Sequence, residues 1–203
     1  MTEVLPSAAP APTDPLRPAI CHRPVAELEA GMDHIRSAPA DVGTLELIAA
    51  RPTFAERAVL EEAKLDLAEG LVGDSWEQRP ARTSADGGPD PLKQLNVMSS
   101  RVIAQIAGER DNWAGAGDQL YVDLDLSHDN LPAGTRLQIG EAVIEITEPP
   151  HSGCAKFRSR YGADALRFVN SVEGKMLRMR GLCARVVVSG IIRSGDQVVK
   201  HSD

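Results

Sequence analysis

Cys154 is the side chain best suited to covalent or metal chemistry. It follows an alternating apolar segment at residues 142–147 and two prolines, which end strand pairing and turn the backbone out of a sheet. His151 and Lys156 flank it, and cationic neighbours favour the thiolate, the reactive and metal-binding form of cysteine. The alternative is a buried cysteine that behaves as a small, inert apolar residue. These local residues leave both interpretations open.

Basic residues are concentrated after Cys154. In a chain with a net charge of -7, such a group indicates either an anion site or solvated helix faces, and both interpretations stay open. If several of these cations converge near Cys154, they would favour its thiolate and attract a phosphate or another anion. The basic residues are Lys156, Arg158, Arg160, Arg167, Lys175, Arg178, Arg180 and Arg185.

Other polar motifs have structural interpretations. Gly-Asp pairs at residues 73–74, 117–118 and 195–196 are interpreted as turns, since Gly allows positive φ and Asp hydrogen-bonds its own backbone. Asp123, Asp125 and Asp129 superficially suggest a calcium loop. They lack its central Gly and terminal Glu, so a solvated strand face is expected. The chain contains neither a phosphate-binding P-loop nor a dinucleotide-binding glycine motif.

Composition argues against several classes of protein. The 203 residues suit one domain, and the negative charge and 3% aromatic content argue against a nucleic-acid partner. No apolar run approaches the roughly 18 residues of a membrane helix, and the N-terminus does not read as a secretory signal. Three cysteines without a CxxC pair indicate neither a disulfide framework nor a structural zinc site. We therefore expect the protein to reside in a reducing cytoplasm, where a free thiol can persist.

Short strands dominate the elements that would position these residues. We predict a disordered Pro/Ala-rich tail at residues 1–19 and a helical extension at 20–42. Residues 54–69 are ambiguous between helix and strand, and 79–91 form a polar loop that we interpret as a lid over Cys154. Helices are predicted at about 100–107 and 162–180. Strands are predicted at 44–50, 94–98, 120–124, 135–139, 142–147, 184–191 and 197–200. This pattern predicts a mainly β (α+β) fold, as a barrel with a few inserted helices.

Four ordered segments resemble the MOSC domain, the family named for the C-terminal region of molybdenum-cofactor sulfurases. The resemblance covers about residues 43–200, which we take as the domain. Its segments are 70–76 (GLVGDSW), 117–120 (GDQL) with 131–140 (LPAGTRLQIG), 149–156 (PPHSGCAK), and 181–186 with 195–198 (GDQV). The match departs from the family at Gly153, where proline is usual, and at residues 117–120, which lack the arginines of some cofactor-binding members.

The resemblance implies a β-barrel and a site around one cysteine. Only Cys154 matches that position, where it would ligate molybdenum or carry sulfur, with His151 as a second catalytic residue. Lys156, Arg158, Arg180 and Arg185 would hold the phosphate of the molybdenum cofactor (molybdopterin). At 203 residues, we expect no pyridoxal-phosphate lyase domain of the kind found in sulfurases, so sulfur would come from a separate donor protein.

Three functions follow as expectations. A stand-alone MOSC protein could be a molybdenum-dependent reductase of N-hydroxylated compounds, served by a redox partner protein. It could instead transfer sulfur from a donor protein to a metal centre. The alternative from another class is a non-catalytic module that binds a small molecule, a cofactor or a partner on the same barrel. No membrane partner is expected.

Overall fold

Seven strands close into a barrel. The computed structural model describes residues 20–53, 56–80 and 87–201. The barrel runs β1-β6-β5-β9-β8-β7-β11 and closes where β11 pairs with β1. Neighbouring barrel strands are antiparallel except β5 and β6, which are parallel. In chain order the strands are β1 (Val42–Ala50), β2 (Ala58–Leu60), β3 (Glu62–Asp66), β4 (Gly70–Leu71), β5 (Leu95–Ser99), β6 (Leu120–Asp123), β7 (Arg136–Ile139), β8 (Ala142–Ile146), β9 (Leu182–Val188), β10 (Gly190–Arg193) and β11 (Gln197–Lys200).

Short additions surround the barrel. β2 extends the sheet beyond β1, while β10, β3 and β4 form a separate three-stranded sheet. The helices are α1 (Val25–Glu29), α2 (Met32–Arg36), α3 (Ser100–Ala107), α4 (Ala155–Val169) and α5 (Val172–Met176). Short 3-10 turns occupy Trp76–Gln78, Pro91–Lys93 and Arg110–Ala116. Within the described ranges, every helix is too short or too polar to cross a membrane.

Two apolar cores follow from the alternation of side chains across the strands. One face of the strands fills the barrel interior with aliphatic side chains such as Leu45, Val97 and Ile144. The opposite face, including Leu47 and Met98, packs against the helices in a second core that contains Tyr161. The helices therefore cover one side of the barrel, and α4 lies firmly on it through its own buried residues.

The prediction of a mainly β fold is confirmed. The hairpin of β7 and β8, the last strand β11 and helix α3 lie where the sequence pattern placed them. In the ambiguous segment, the described residues form strands β2 and β3. The tail at 1–19 lies outside the described residues, as does part of the expected lid.

Two elements differ from their predictions. Helix α4 begins at Ala155, seven residues before the predicted helix, and bends at Gly162, whose φ of 92° is not helical. The strand predicted at 184–191 is interrupted at Ser189, and its last part, β10, pairs with β3 outside the barrel. An apolar repeat predicts neither feature, because a bend and a change of pairing partner depend on contacts distant in sequence.

Candidate functional site

Cys154 is exposed and lies immediately before α4. The chain leaves β8 at Ile146, passes the two prolines and enters α4 directly after the cysteine. The backbone N–H of Gly153 donates a hydrogen bond of 3.0 Å to Oδ1 of Asn170, at the far end of α4. The cysteine loop is therefore tied to the helix that follows it.

Gly153 lets this loop lie close to α4. A Cβ atom at position 153 would stand 2.6 Å from Cδ1 of Leu166 and 3.1 Å from Cγ2 of Val169. Proline, which the family usually carries here, has no N–H and would lose the bond to Asn170. The departure at Gly153 is therefore matched by a specific contact with the helix.

Cys183 is unsuited to the role that the resemblance gives Cys154. It is buried in β9, and its Sγ lies 3.6 Å from Oδ1 of Asn96. Burial raises the pKa of the Cys183 thiol to about 11, so it remains protonated at neutral pH. Cys21 is exposed but precedes the barrel.

His151 faces a carboxylate. Its Nε2 lies 2.8 Å from Oδ1 of Asp118, and among the described residues no hydrogen bond joins it to Cys154. Burial, and then the charge of Arg180, lower the pKa of His151 despite the nearby carboxylate. At neutral pH the imidazole is uncharged and donates from Nε2 to Asp118, which leaves Nδ1 as an acceptor.

Asp118 and Arg180 form a buried ion pair beneath His151. Nη1 of Arg180 lies 2.9 Å and 2.7 Å from the two carboxylate oxygens, and Nη2 donates to the carbonyl of Ala116. The side chain of Asp118 is 0% exposed and that of Arg180 is 6% exposed. Burial by itself would raise the pKa of Asp118, but Arg180 and then His151 outweigh it and hold that pKa well below its ordinary range.

Arg180 connects this ion pair to the cysteine loop. Its guanidinium carbon lies 4.9 Å from the ring centre of Phe157, one turn after Cys154 in α4. Burial opposes its charged form, but Asp118 raises the pKa of Arg180 above the ordinary value, and a Cys154 thiolate contributes to that rise. Arg180 therefore stays charged within electrostatic reach of the cysteine.

Arg51, Arg57 and Arg160 from separate segments lie beside the glycine turn at Gly117, and Arg79 lies close enough to repel Arg51 and Arg57. Arg51 forms a buried bidentate pair with Asp74, with two contacts of 2.8 Å, and also donates to the carbonyl of Gly117. Arg160 donates to the carbonyl of Gly115. We call Arg51, Arg57, Arg79 and Arg160 the arginine cluster.

The arginine cluster carries more positive charge than its described partners balance. Among the described residues, Arg57, Arg79 and Arg160 form no ion pair with a carboxylate. Burial, and then Arg160, Arg51 and Arg79, lower the pKa of Arg57, while burial and Arg51 lower that of Arg79. Nε of Arg57 is buried without a hydrogen-bond partner among the described residues. Such a group of unbalanced guanidiniums suits a phosphate.

Three of the basic residues predicted to hold the cofactor phosphate lie outside both the arginine cluster and the group formed by His151, Asp118 and Arg180. Lys156 and Arg158 are exposed on the first turns of α4. Arg185 is exposed on β9 and contacts Oε1 of Glu145 on β8 at 3.0 Å and 2.6 Å. Of the four basic residues proposed from the resemblance, Arg180 is the one that the structure places beside His151 and Asp118.

The interpretation of all three Gly-Asp pairs as turns was incomplete. Asp196 accepts from the backbone of Arg193, as a turn residue does. Asp74 also accepts from the backbone N–H of Trp76, and Gly73 and Gly117 have positive φ, so these pairs are turns too. In addition, Asp74 and Asp118 anchor buried arginines, Arg51 and Arg180. Local sequence patterns could not predict these ion pairs, because the arginine partners are 23 and 62 residues away from the aspartates. The one sequence signal for a further role was that both aspartates fall in segments that resemble the family.

Metal ligation by the protein alone has little support. The described residues contain no group of three or more His, Cys, Asp or Glu side chains placed to hold a metal ion. Cys154 could supply one exposed sulfur ligand to a metal that arrives with its other ligands. The arginine cluster, with its unpartnered Nε at Arg57, fits the phosphate of such a cofactor.

Comparison with solved structures identifies the same fold. A YuaD protein from Bacillus subtilis aligns with a TM-score of 0.58 at 17% identity, covering 80% of this chain and 97% of that protein. YiiM from Escherichia coli aligns with a TM-score of 0.51 at 17% identity, covering 79% of this chain and 70% of its own. No curated protein matches the chain.

A family comparison agrees with the fold and covers three of the four ordered segments, all but residues 70–76. The MOSC domain model matches residues 83–199, more than half of the chain, and that range includes Cys154, His151, Asp118 and Arg180. Arg51, Arg57 and Arg79 precede the matched range. The chain is a member of the MOSC domain family.

Proposed function

We propose that this MOSC protein binds the molybdenum cofactor, with the Cys154 sulfur ligating molybdenum and the arginine cluster holding the cofactor phosphate. The observation that carries the proposal is that one element, α4, starts at an exposed thiol and contributes Arg160 to the arginine cluster. Arg160 lies six positions after Cys154, about 9 Å along the helix axis. A ligand with a metal at one end and a phosphate at the other could contact both.

The residues suit the two ends of the cofactor differently. A thiolate is a soft ligand that binds molybdenum through sulfur, and Cys154 is exposed to receive it. The cluster offers guanidinium donors from Arg57, Arg79 and Arg160 that lack a described carboxylate partner. These arginines take the place of those missing from residues 117–120 of the sequence.

The hydrogen-bonded network of His151, Asp118 and Arg180 would place its side chains near the molybdenum end of the bound cofactor. Burial and the charge of Arg180 keep the His151 imidazole neutral, and Asp118 fixes the tautomer that donates from Nε2 and leaves Nδ1 able to accept a proton. Arg180 supplies a fixed positive charge beside the cysteine loop. When bound, the cofactor supplies a metal centre that can exchange electrons and an oxygen atom, as reduction of an N-hydroxylated compound requires.

A sulfur-transfer function is the second candidate, and the exposure of Cys154 favours it. A persulfide on an exposed thiol is accessible to the metal centre of another protein. In this version the thiol receives sulfur from a separate donor protein. Both functions require the Cys154 thiol to stay reduced, as it would in the cytoplasm.

Elemental and pterin analysis of purified protein separates these functions. Wild type, Cys154→Ser, Arg57→Gln and the exposed control Arg158→Gln would be produced in a host that makes molybdopterin. We expect molybdenum and pterin in wild type and Arg158→Gln. Arg57→Gln should retain about tenfold less pterin, since a charge-assisted contact is lost. Cys154→Ser should lose molybdenum.

The other outcomes are equally specific. Cyanide-labile sulfur in wild type, absent from Cys154→Ser and unaccompanied by molybdenum, would replace cofactor binding with sulfur transfer. Equal molybdenum and sulfur contents in wild type and Cys154→Ser would exclude both roles for the cysteine. The non-catalytic binding module would then be the remaining function.

A further inference from the structure

A cavity next to the cysteine loop has a different character from the arginine cluster. Its volume is about 260 Å³, and it lies between the segment after β8 and the segment that joins α5 to β9. Apolar atoms of Pro149, Pro150, Val169 and Leu182 form part of its wall. A cavity of this size and lining suits a small organic molecule with an apolar body.

The charged groups of this cavity are predominantly cationic. Lys175 lines it from α5 and Arg178 from the α5–β9 segment, while Glu148, the one lining carboxylate among the described residues, is exposed. Arg180 also lines the cavity, but Asp118 balances its charge. Burial, and then Arg178, lower the pKa of the lining residue His128, so this imidazole adds no charge at neutral pH.

Arg178 is a half-buried guanidinium with donors to spare. Nη1 donates to the carbonyl of Leu131 at 2.5 Å, and among the described residues no carboxylate pairs with Arg178. A guanidinium has five N–H donors, so several remain for a ligand in the cavity. Burial lowers the pKa of Arg178, because a guanidinium that is partly removed from water loses hydration of its charged form.

The backbone at Arg178 ends α5 and sets the direction of its side chain. Its φ is 47°, the only positive φ at a non-glycine residue among those described. The N–H of Arg178 donates to Lys175 O and that of Met179 to Gly174 O, the pair of hydrogen bonds that closes a helix with a left-handed residue. The side chain of Arg178 therefore leaves a fixed helix end and lines the cavity.

We propose that this cavity binds a small organic carboxylate, with Arg178 pairing to the carboxylate, Lys175 assisting, and the apolar wall covering the body. A carboxylate matches the planar fork of a single guanidinium, while the wall offers little to a fully polar anion. His151 lines the cavity and also contacts Asp118, so the ligand would lie against the network beneath Cys154. The proposal does not depend on cofactor binding.

Ligand-observed fluorine NMR with two matched probes tests the site. We expect 4-fluorobenzoate to bind saturably to the full-length protein and 4-fluorobenzamide, its neutral counterpart, to bind at least about tenfold more weakly. Arg178→Gln should weaken binding of the acid about tenfold, and the exposed Lys175→Gln should weaken it by a smaller factor. Lys175→Gln keeps the test valid if Arg178→Gln fails to fold.

Two controls identify where the acid binds. Arg193→Gln removes an exposed arginine of β10 outside the cavity, and Arg57→Gln removes a member of the arginine cluster. Both should bind 4-fluorobenzoate as wild type does. Equal affinity for acid and amide, loss of binding in Arg57→Gln alone, or no saturable binding up to about 10 mM would overturn the proposal.

Discussion

Asp118 is the residue on which the electrostatics of the site depend. It is fully buried, and it balances Arg180 and fixes the tautomer of His151. A buried ion pair adds little net stability over an apolar pair, but removing one partner leaves the other charge uncompensated. The role of Asp118 is thus to keep Arg180 charged and the His151 imidazole in one tautomer beside the cysteine loop.

Asp118→Asn should destabilise the protein strongly. The amide cannot balance the guanidinium of Arg180, so we expect a loss of about 3–5 kcal/mol of unfolding free energy. Urea denaturation measures this loss. Asp111→Asn, at an exposed position, is the control and should stay within about 0.5 kcal/mol of wild type. Equal stability of the two variants would contradict a buried, charged pair.

The depressed pKa of His151 gives a dependence of stability on pH. Because the folded protein resists protonation of this imidazole, the unfolded chain binds more protons once the pH falls below about 6.5. Stability is therefore complete above that pH and declines as the pH falls towards the folded pKa. His151→Gln retains a donor for Asp118 and should reduce this decline, measured as unfolding free energy between about pH 7 and 5.

The same titration contains its own control. Above about pH 7.5 the imidazole is neutral in both folded and unfolded states, so wild type and His151→Gln should give parallel curves. An equally steep acid decline in both proteins would show that His151 is not the group responsible. His128, whose pKa is also lowered, should account for part of the remaining slope.

Sequence reasoning located the thiol better than its surroundings. The two prolines and the small residues before Cys154 predicted a loop, and the structure places the cysteine in one, exposed. His151 was expected to serve the cysteine because it is adjacent in sequence, but it turns towards Asp118, 33 residues earlier. The arginine cluster joins four distant segments, so no local pattern could reveal it.

At the scale of elements, α4 connects the parts of the site. It follows Cys154, contributes Phe157 to Arg180 and Arg160 to the arginine cluster, and ends at Asn170, which binds the cysteine loop. The apolar repeat predicted its second half, beyond Gly162. Its first half was missed because the residues after Cys154 are mainly basic and polar, and their helical state depends on packing against the barrel core.

Asn170 should control the mobility of the cysteine loop. Asn170→Ala removes the acceptor for the Gly153 N–H and the weaker donor to the Gly153 carbonyl, whereas Asn170→Asp keeps the acceptor alone. Loss of the Gly153 N–H bond, worth about 1 kcal/mol, should raise local opening roughly fivefold. Hydrogen exchange of residues 148–154, followed by mass spectrometry, should be fastest in Asn170→Ala and intermediate in Asn170→Asp. Similar exchange in all three proteins would show that other contacts hold the loop.

At the scale of the whole molecule, the fold brings together four arginines that are far apart in the sequence. Arg51 follows β1, Arg57 precedes β2, Arg79 follows a 3-10 turn, and Arg160 belongs to α4. An acidic protein thus contains a concentrated basic site, whose members repel one another and are partly removed from water. Maintaining such a site without a ligand reduces the stability of the fold, as functional sites commonly do.

Arg57→Gln should therefore stabilise the ligand-free protein while weakening anion binding. Removing this charge relieves repulsion by Arg160, Arg51 and Arg79, and we expect a gain of up to about 1 kcal/mol in unfolding free energy. Adding inorganic phosphate should then raise the melting temperature of wild type more than that of the variant, since a ligand of the native state stabilises it by mass action. Arg158→Gln, an exposed change outside the cluster, should respond to phosphate as wild type does. The predicted gain in stability and the predicted loss of response to phosphate both require an unbalanced guanidinium at an anion site. If Arg57→Gln is instead less stable without phosphate and responds to phosphate as wild type does, Arg57 is a structural residue.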